Sequence, residues 1–255
     1  MALTRHVLIT GATGTLGRKL VGAATAAGHH VRAMSRSSHV GYTGVHWAQG
    51  DLLGNTGVDA AVEGVDVVVH CATQGSGDKD VTSAENLITA ARTVGVNHIV
   101  YVSIVGIDRI PLPYYKTKLR VEQTLETSGV GHTVLRATQF HDLITMSFSI
   151  QRFSPLLWSF KGVRFQPIDT RDVTTRLVEL IDCEPAGHVP DIGGPAVFTH
   201  AELARTYLAA RNGRRPVVEI PAPGRIMAGF RSGANLAPDN PVGTIGFADY
   251  LAETK

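Results

Sequence analysis

Short apolar runs alternate along the first half of the chain with longer stretches in which apolar positions recur every three or four residues. The first pattern is typical of buried strands and the second of amphipathic helices. The runs predict strands at residues 6–10, 30–34, 45–49, 66–71, 98–103 and 133–136. The helical spacing predicts helices at residues 15–27, 56–62, around 81–91 and 114–127.

This alternation predicts the fold class. Because the strands are apolar along almost their whole length, we expect both of their faces to be covered, as in a parallel sheet between layers of helices. Right-handed crossovers place the carboxyl ends of such strands along one edge, where ligands bind. The pattern therefore predicts an α/β chain with a Rossmann-type, doubly wound parallel sheet.

The second half of the chain has a less regular pattern. It predicts a helix around residues 173–180, a strand at 188–192 and a helix at 201–210. From residue 221 onward the sequence is rich in Gly, Pro and Asn, which is typical of irregular structure. We expect a single domain over residues 1–255, with a core at about 1–138 and a smaller, dependent, substrate-side region at about 139–255.

A glycine-rich turn follows the first predicted strand directly. Residues 10–17 read Thr-Gly-Ala-Thr-Gly-Thr-Leu-Gly, with the glycines spaced G-x-x-G-x-x-G. The first glycine permits the tight turn, the second lets the backbone approach a pyrophosphate, and the third lets the helix pack against the strand. The helix N-terminus then offers free N–H groups to phosphates. The turn predicts a dinucleotide site with contacts from Gly11, Thr13, Gly14, Thr15, Leu16 and Gly17.

The end of the second strand indicates which dinucleotide binds. NAD sites usually have an acidic residue about 20 residues after the glycines, which accepts from the ribose 2′-hydroxyl. Residues 31–38 contain no acidic residue. Arg36 and Ser35, with the serines that follow, could instead hold a 2′-phosphate, whereas Arg32 is a weaker candidate in mid-strand. We expect NADP(H), and the alternative is that Arg36 is only a solvated surface residue.

Two further strand ends are expected to line the same site. Asp51 and Leu52 follow the third strand, where the carboxylate could accept from the adenine amino group. Cys71, Ala72 and Thr73 follow the fourth strand, where small residues would let a cofactor pass close to the backbone. We expect Cys71 to be a packing residue rather than a reactive thiol, because no neighbour in sequence would lower its pKa.

Composition excludes several classes of function. The net charge of +2 predicts no strong attraction to nucleic acid or to acidic lipid. The two cysteines are too few to predict a disulfide framework, and they favour a reducing compartment. The chain has neither a signal-peptide pattern nor a membrane-spanning apolar stretch, and its eleven histidines are scattered. We therefore expect a cytoplasmic protein with a small-molecule substrate and no metal, nucleic-acid or membrane partner.

Several segments together resemble a known family. They are the glycine turn at 10–17, Gly-Asp-Leu at 50–52, Val-Ser-Ile-Val-Gly at 102–106, Leu-Arg-Ala-Thr-Gln-Phe at 135–140 and Asp-Thr-Arg-Asp-Val at 169–173. Over almost its whole length the chain resembles an atypical short-chain dehydrogenase/reductase of the NmrA-like group. The resemblance implies an NAD(P)-binding Rossmann fold. It is less specific for the reaction, because the group includes reductases of several substrates and redox sensors without catalysis.

The resemblance also implies a catalytic set. Tyr114 and Lys118 have the Y-x-x-x-K spacing of the superfamily's catalytic pair, and Ser103 ends the fifth strand, where that chemistry places a serine. Tyr114 would exchange a proton with the substrate, Lys118 would hold the nicotinamide ribose, and Ser103 would steady the substrate carbonyl. Helical spacing predicts that Lys118 faces the sheet with Leu125, whereas Lys116 is solvated.

The proton donor has several candidates. Tyr114 lies in the first helical turn and could instead be a pocket wall; Tyr115, His141 and a water molecule are the alternatives. For His141 we favour a water-exposed position at the start of a helix. The resemblance further implies cofactor contacts from the loop after the sixth strand, at Thr138, Gln139 and Phe140.

An apolar cluster follows that loop, at Phe148, Phe153, Leu156, Leu157, Trp158 and Phe160. It is consistent with a lid over an apolar or aromatic substrate, and equally with an ordinary core or a partner surface. The favoured function is an NADPH-dependent reductase that transfers hydride to a C=O, C=C or C=N bond of a mostly apolar small molecule. The alternatives are a non-catalytic NADP(H)-binding redox sensor and a redox-neutral isomerase or dehydratase.

Overall fold

The computed structural model describes residues 4–37, 44–75 and 77–254; Ser38, one of the serines after Arg36, lies outside them. The strands are β1 (His6–Thr10), β2 (His30–Ser35), β3 (Val45–Gln49), β4 (Val67–His70), β5 (His98–Ile104), β6 (His132–Ala137), β7 (Leu157–Phe160), β8 (Arg164–Phe165), β9 (Gly187–His188), β10 (Phe198–Thr199) and β11 (Val217–Ile220). The helices are α1 (Thr15–Ala26), α2 (Val58–Val62), α3 (Asp78–Val94), α4 (Pro113–Glu126), α5 (His141–Ser149), α6 (Thr170–Asp182), α7 (His200–Ala210), α8 (Arg225–Arg231) and α9 (Phe247–Glu253).

The central sheet has seven strands in the order β3-β2-β1-β4-β5-β6-β9. Val7 of β1 pairs in parallel with Val31 of β2 on one side and with Val67 of β4 on the other. The chain adds β2 and β3 on one side of β1 and then crosses to add β4 and β5 on the other. The carboxyl ends of β1 and β4 are therefore neighbours at the point where the strand order reverses, which is where open α/β sheets bind ligands. The predicted Rossmann-type sheet is confirmed.

The described residues divide into two compact units. The first unit takes those within 1–103, 113–135 and 174–189, and the second takes those within 104–112, 136–173 and 190–255. Residues 174–189 belong to the first unit because β9 joins its sheet, with Gly187 paired to Thr133 of β6. The boundary thus differs from the single one expected near residue 138. Within the described ranges, no helix combines the length and apolar character that a membrane crossing requires.

Helical spacing accounts for how the first unit covers its sheet. The apolar stripe predicted for the third helix is buried on α3, at Val81, Ala84, Ile88 and Ala91. These residues share one core with α2, with α4 and with Leu8 and Val68 of the sheet. Because side chains alternate along a strand, the neighbours of Leu8 face the opposite layer, where α1 packs. Both sheet faces are therefore covered, which explains the continuous apolar runs.

The second unit contains two small sheets. β7 pairs in parallel with β11, and β8 pairs antiparallel with β10. Its core brings together α5, α7 and α9 through residues such as Phe148, Tyr207 and Phe247. A capping box between Thr199 and Glu202 starts α7, which agrees with the helix predicted there. The expected strand at 188–192 is shorter in the structure, as β9, and α8 and α9 lie where the sequence predicted irregular chain.

The expectation for His141 is wrong. Its side chain is fully buried, and its Nε2 shares a hydrogen bond of 3.0 Å with the carbonyl oxygen of Ile245. The ring packs against Phe247 and Tyr250 of α9, at centroid distances of 5.5 and 5.2 Å. Burial lowers the pKa of His141. The imidazole is thus a neutral packing group of the second unit rather than a water-exposed one.

Buried histidines make the folded chain sensitive to acid. Burial lowers the pKa of His70 to about 3, and those of His98 and His200 to about 4, from the ordinary value of 6.5. Below pH 6.5 the unfolded histidines bind protons that the folded ones do not, so this stabilisation is complete above pH 6.5 and is lost as the pH falls toward 4. The expected slope is about 1.4 kcal/mol per pH unit for each histidine.

Urea unfolding at about pH 7 and about pH 5 measures this loss directly. His200→Asn offers a matched comparison, because an amide oxygen can replace Nδ1, which accepts the Phe160 N–H at 3.0 Å. The variant should lose less stability than the wild-type chain between the two pH values. An identical pH dependence of stability in both proteins would show that His200 does not contribute to the loss of stability at low pH.

Candidate functional site

A cleft of about 420 Å³ opens at the carboxyl ends of β1, β2, β3 and β4. All of its lining residues belong to the first unit: Thr10, Gly11, Thr13, Gly14, Met34, Ser35, Arg36, Ser37, Gly50, Asp51, Leu52, Cys71, Ala72, Thr73 and Gln74. The four strand ends singled out in the sequence therefore meet at one cleft. Among the described residues, no group of three His, Cys, Asp or Glu side chains could hold a metal ion.

The glycine turn is packed backbone against backbone. Gly11 has a φ of +65°, and a β-carbon on it would lie 2.7 Å from the backbone nitrogen of Ala72. A β-carbon on Gly17 would lie 2.2 Å from the carbonyl oxygen of Gly11. Side chains at these positions would push the turn away from the end of β4 and from α1. The close approach is the geometry that a pyrophosphate-binding turn requires.

Helix α1 begins at this turn without a side-chain cap. Its N-cap is Gly14, and its first turn, Thr15 to Gly17, contains no acidic residue. The first N–H bonded along the helix is that of Arg18, which donates to the Gly14 carbonyl at 3.1 Å. The N–H groups at the helix start and the positive end of the helix dipole therefore favour an anion at the cleft.

A polar contact that the sequence analysis missed joins the ends of β1 and β4. Thr10 Oγ1 shares a hydrogen bond of 2.8 Å with His70 Nδ1 and accepts the Ala72 N–H at 3.3 Å. Burial, with a smaller effect of the Lys118 charge, lowers the pKa of His70 to about 3, so the ring is neutral. The contact holds the strand ends that form the turn. A histidine at the end of an otherwise all-valine strand was the signal that could have found it.

Arg36 follows the end of β2 and lines the cleft. Its side chain is exposed, and within the described ranges its guanidinium group has no hydrogen bond or ion pair. Arg32 differs, since its guanidinium donates to the carbonyl oxygens of Ala61 and Glu63, at 2.9 and 2.7 Å, where α2 ends. Arg32 is thus a structural residue, and Arg36 is placed to meet an anion.

The loops after β3 and β4 also lie where the sequence analysis placed them. Asp51 lines the cleft and accepts the Leu53 N–H at 3.1 Å, which stabilises the turn, and Leu52 is buried in the core of the first unit. Burial raises the pKa of Cys71 to about 12, although the Lys118 charge opposes it. Cys71 is therefore a protonated thiol at neutral pH, in agreement with the packing role predicted for it.

Lys118 is buried and points inward, as its helical position predicted, whereas Lys116 is exposed. Its Nζ donates to the carbonyl oxygen of Val102 at 3.1 Å and lies 4.7 Å from the centroid of the Tyr101 ring. Burial disfavours the charged amine, but Tyr101 and other neighbours outweigh it and raise the pKa of Lys118 above its ordinary value. The first unit thus contains a fixed, buried positive charge.

Tyr101 is a second residue that the sequence analysis missed. It is fully buried in β5, and burial raises its pKa to about 12 against the opposing charge of Lys118. Its ring stacks on that of His70 at a centroid distance of 5.6 Å. The contacts therefore run from Lys118 through Tyr101 and His70 to Thr10 at the glycine turn. An aromatic residue two positions before Ser103, on the same strand face, was the available signal.

The structure distinguishes the two adjacent tyrosines. Tyr115 is buried, whereas the hydroxyl of half-buried Tyr114 lies 3.4 Å from Thr73 Oγ1. Thr73 in turn donates to a carboxylate oxygen of the buried Asp80 at 2.8 Å, and Asp80 also accepts the Gln74 N–H. Tyr114 is thus the phenol beside the cleft lining. Asp80 was not singled out in the sequence, because its contact with Thr73 depends on how the chain folds between β4 and α3.

Ser103 is buried near the end of β5, on the same strand face as Tyr101. Within the described part of the chain, its hydroxyl has no hydrogen-bond partner. A buried, unsatisfied hydroxyl is costly, so this oxygen is suited to meet a polar atom of a ligand or a water molecule.

The loop after β6 belongs to the second unit. Thr138 Oγ1 donates to the carbonyl oxygen of Gln166 at 2.5 Å, and Gln139 Oε1 accepts from Asn235 Nδ2 at 3.2 Å. Phe140 is half-buried and precedes α5 as its N-cap. Each of the three residues has a structural role in its own unit, and their contact with a cofactor stays a prediction.

The predicted apolar cluster divides into two parts in the second unit. Phe148 and Leu157 are fully buried in the core, and Leu156 is half-buried. Phe153, Trp158 and Phe160 are exposed. The core alternative therefore holds for some of these residues, whereas the others form a surface.

Comparisons with known proteins agree with this geometry. A family model described as NAD(P)H-binding matches residues 11–154. The chain is 28% identical over 203 residues to a (4-alkanoyl-5-oxo-2,5-dihydrofuran-3-yl)methyl phosphate reductase of Streptomyces griseus, covering 77% of this chain and 70% of that protein. It is 26% identical over 180 residues to the photosystem II assembly factor Ycf39 of Trieres chinensis, covering 66% of this chain and 56% of that protein.

A solved structure supports the same fold. The NADPH complex of the quinone oxidoreductase QOR2 from Escherichia coli matches with a TM-score of 0.81 at 18% identity, covering 97% of this chain and 99% of that one. The chain spans about half the length of several curated relatives that it matches. Since the family model covers more than half of the chain and the sheet and glycine turn agree with it, the chain belongs to the NAD(P)H-binding family.

Proposed function

We propose that the chain is an NADPH-dependent reductase that acts on a C=O, C=C or C=N bond of a mostly apolar small molecule. The observation that carries the proposal is the buried, charged Lys118, which shares the first unit with a glycine-turn cleft and with Tyr114 beside it. A buried charge destabilises a fold unless it has a partner or a task. Relatives that are named as reductases support the same chemistry.

The cleft residues fit a phosphorylated dinucleotide. Gly11 and Gly17 let the backbone come close, and the uncapped start of α1 would face the pyrophosphate. Arg36 would pair with the 2′-phosphate, and Asp51 would accept from the adenine amino group. When bound, NADPH supplies the hydride that the reduction needs.

The residues around Tyr114 would supply the proton. A carboxylate only accepts hydrogen bonds, so Thr73 donates to Asp80, and the Thr73 oxygen is left to accept from the Tyr114 hydroxyl. This chain of hydrogen bonds would hold the Tyr114 hydroxyl at the cleft edge. Tyr114 would then protonate the substrate, Lys118 would orient the nicotinamide ribose, and the Ser103 hydroxyl would hold the substrate oxygen.

Substitutions of Tyr114 and Thr73, which form this chain of hydrogen bonds, test the proton source. Tyr114→Phe should lower turnover by about 100-fold while NADPH affinity is unchanged, because only the transferable proton is lost. Thr73→Val should cause a smaller loss of about tenfold, and Thr73→Ser, which keeps the hydroxyl, should restore turnover. The control is Tyr115→Phe, since that residue is a buried core neighbour. Full turnover in Tyr114→Phe would assign the proton to another group, such as water.

Removal of the Arg36 guanidinium tests cofactor choice. Arg36→Ala should weaken NADPH binding by roughly 10- to 100-fold and leave NADH binding nearly unchanged, because only NADPH carries the charge that Arg36 would meet. Titration of both nucleotides measures this, with Arg92→Ala, an exposed arginine in the last turn of α3, as control. An equal loss for both nucleotides would exclude the 2′-phosphate assignment.

The experiment that tests the function mixes the protein and NADPH with a panel of quinones, enones, ketones and imines and follows the absorbance of reduced nicotinamide. Turnover that is lost in Lys118→Ala supports the reductase. Tight NADPH binding without oxidation across the panel favours a second candidate, a non-catalytic NADP(H)-binding regulator. The similarity to a protein named as an assembly factor is the observation that favours this second candidate.

A further inference from the structure

A band of exposed apolar side chains lies on the second unit. Leu143, Met146 and Ile150 recur at intervals of three and four residues, which places them on one face of α5 and its C-cap. Phe153 follows the helix and is 86% exposed, more than any other large apolar side chain among the described residues. Trp158 and Phe160 point outward from β7. We refer to these six residues as the apolar band.

The band continues onto the neighbouring strand. β7 and β11 pair in parallel, with Val218 opposite Trp158 and Ile220 opposite Phe160. Paired residues share a sheet face, so half-buried Val218 and Ile220 extend the band. The other face of β7, at Leu157, is fully buried in the core of the second unit. The outward face of this two-stranded sheet therefore carries four apolar side chains, whereas a solvated sheet face usually carries polar residues.

Positive charges outnumber negative ones in the chain segments that form this region, where the acidic residues are Asp142 at the start of α5 and Glu219 in β11. Between Asp142 and Asp169 the charged residues are Arg152, Lys161 and Arg164, and between Glu202 and Glu219 they are Arg205, Arg211, Arg214 and Arg215. The whole chain has 24 Lys and Arg and 22 Asp and Glu. Without these seven residues, only 17 Lys and Arg remain, which is fewer than the acidic residues. The small net charge of +2 thus conceals a local positive excess.

Hydrogen bonds place part of this charge beside the band. The Arg215 guanidinium donates to the carbonyl oxygens of Gln151 and Ser154, at 2.5 and 3.0 Å, and so connects the segment before β11 to the loop that carries Phe153. The guanidinium of Arg152 lies 4.5 Å from the centroid of the Phe153 ring. Beyond the opposite end of β7, the exposed Lys161 follows Phe160 directly. Cations therefore flank the band at both ends.

We propose that the apolar band and its flanking cations dock the second unit onto an anionic lipid surface. The aromatic and aliphatic side chains would enter the boundary between headgroups and acyl chains, while the Arg and Lys groups would contact acidic headgroups. Charge complementarity between these cations and acidic headgroups favours an anionic lipid surface as the partner. A second copy of the chain would bring the same cations face to face, which opposes self-association through the band. The net charge of the chain predicted no strong attraction to acidic lipid. The proposal revises that prediction, because it takes account of where the charges lie.

Co-flotation of the full chain with lipid vesicles tests the proposal. The chain should float with vesicles of phosphatidylcholine and phosphatidylglycerol, should float much less with phosphatidylcholine alone, and should be released by salt. The double variant Phe153→Ser and Trp158→Ser should bind at least about tenfold more weakly, and Arg214→Glu should also bind more weakly. Val94→Ser removes an apolar side chain that is 44% exposed on α3, and as the control it should bind like the wild-type chain.

Two results would overturn the proposal. One is the absence of flotation with anionic vesicles at low salt, and the other is equal flotation of the wild-type chain and a double variant that unfolds at the same temperature as the wild-type chain. A concentration-dependent dimer that the double variant abolishes, without vesicle binding, would assign the band to a second copy instead. None of these readouts depends on reductase activity, so the proposal stands or fails independently of the function proposed above.

Discussion

Gly17→Ala should greatly weaken NADPH binding and destabilise the chain by about 3 kcal/mol, even though alanine is the better helix former. The added β-carbon would lie 2.2 Å from the Gly11 carbonyl oxygen, 2.8 Å from the Gly11 carbonyl carbon and 3.0 Å from the Ala12 Cα. All three are backbone atoms, so the turn itself has to move away from α1. Its N–H groups would then no longer converge on a pyrophosphate, and we expect affinity to fall about 100-fold or more.

Gly22→Ala in the same helix is the matched control. Gly22 is exposed, and a β-carbon there would meet nothing within 4 Å. This variant should gain up to about 1 kcal/mol of stability and bind NADPH like the wild-type chain. Urea unfolding and nucleotide titration of the two variants give the comparison. If Gly17→Ala binds NADPH as tightly as Gly22→Ala does, the glycine turn is not the phosphate site.

Lys118→Met should remove turnover and leave the fold intact. Methionine keeps the apolar stem that packs in the first unit, and loss of the buried charge relieves its desolvation. The group that would hold the nicotinamide ribose is absent, so we expect turnover to fall by about 1000-fold and the KM for NADPH to rise. Lys116→Met, two positions earlier and exposed, should behave like the wild-type chain.

Steady-state kinetics with a reactive acceptor and the midpoint of thermal unfolding separate the outcomes. Loss of turnover at an unchanged midpoint supports a functional lysine. If Lys118→Met does not fold, Lys118→Gln, whose amide can still donate to the Val102 carbonyl, provides the second measurement. Retention of most turnover in a folded variant would mean that Lys118 only packs against Tyr101.

The features that the sequence predicted well depend on short-range periodicity. Strands such as β1 and β4 have no polar face, so their apolar runs stand out, and the spacing of Lys118 and Leu125 is enough to place both on the inward face of α4. β8 and β10 have only two residues each, too few to show any period. Most of the second unit was therefore not predictable in this way.

The site residues that were missed depend on contacts between distant parts of the chain. Thr10 and His70, whose contact was missed, are 60 residues apart. Tyr114 and Thr73 were both predicted as site residues, but the contact between them, across 41 residues, was not. His141 was wrongly placed for the same reason, because the carbonyl group that meets its ring lies 104 residues away. Local patterns identify which residue types can do chemistry, whereas their partners are set by tertiary packing.

The proposed reductase transfers hydride from NADPH to a substrate. The most direct measurement uses NADPH in which deuterium replaces both hydrogens of the reactive nicotinamide carbon, with a ketone, enone or imine from the panel as acceptor, and follows carbon-bound deuterium in the product by mass spectrometry. The reductase predicts oxidised nicotinamide and deuterium in the product in equal amounts, both lost in Lys118→Met. Tightly bound NADPH that stays reduced with every acceptor, or product that forms without deuterium, would contradict it.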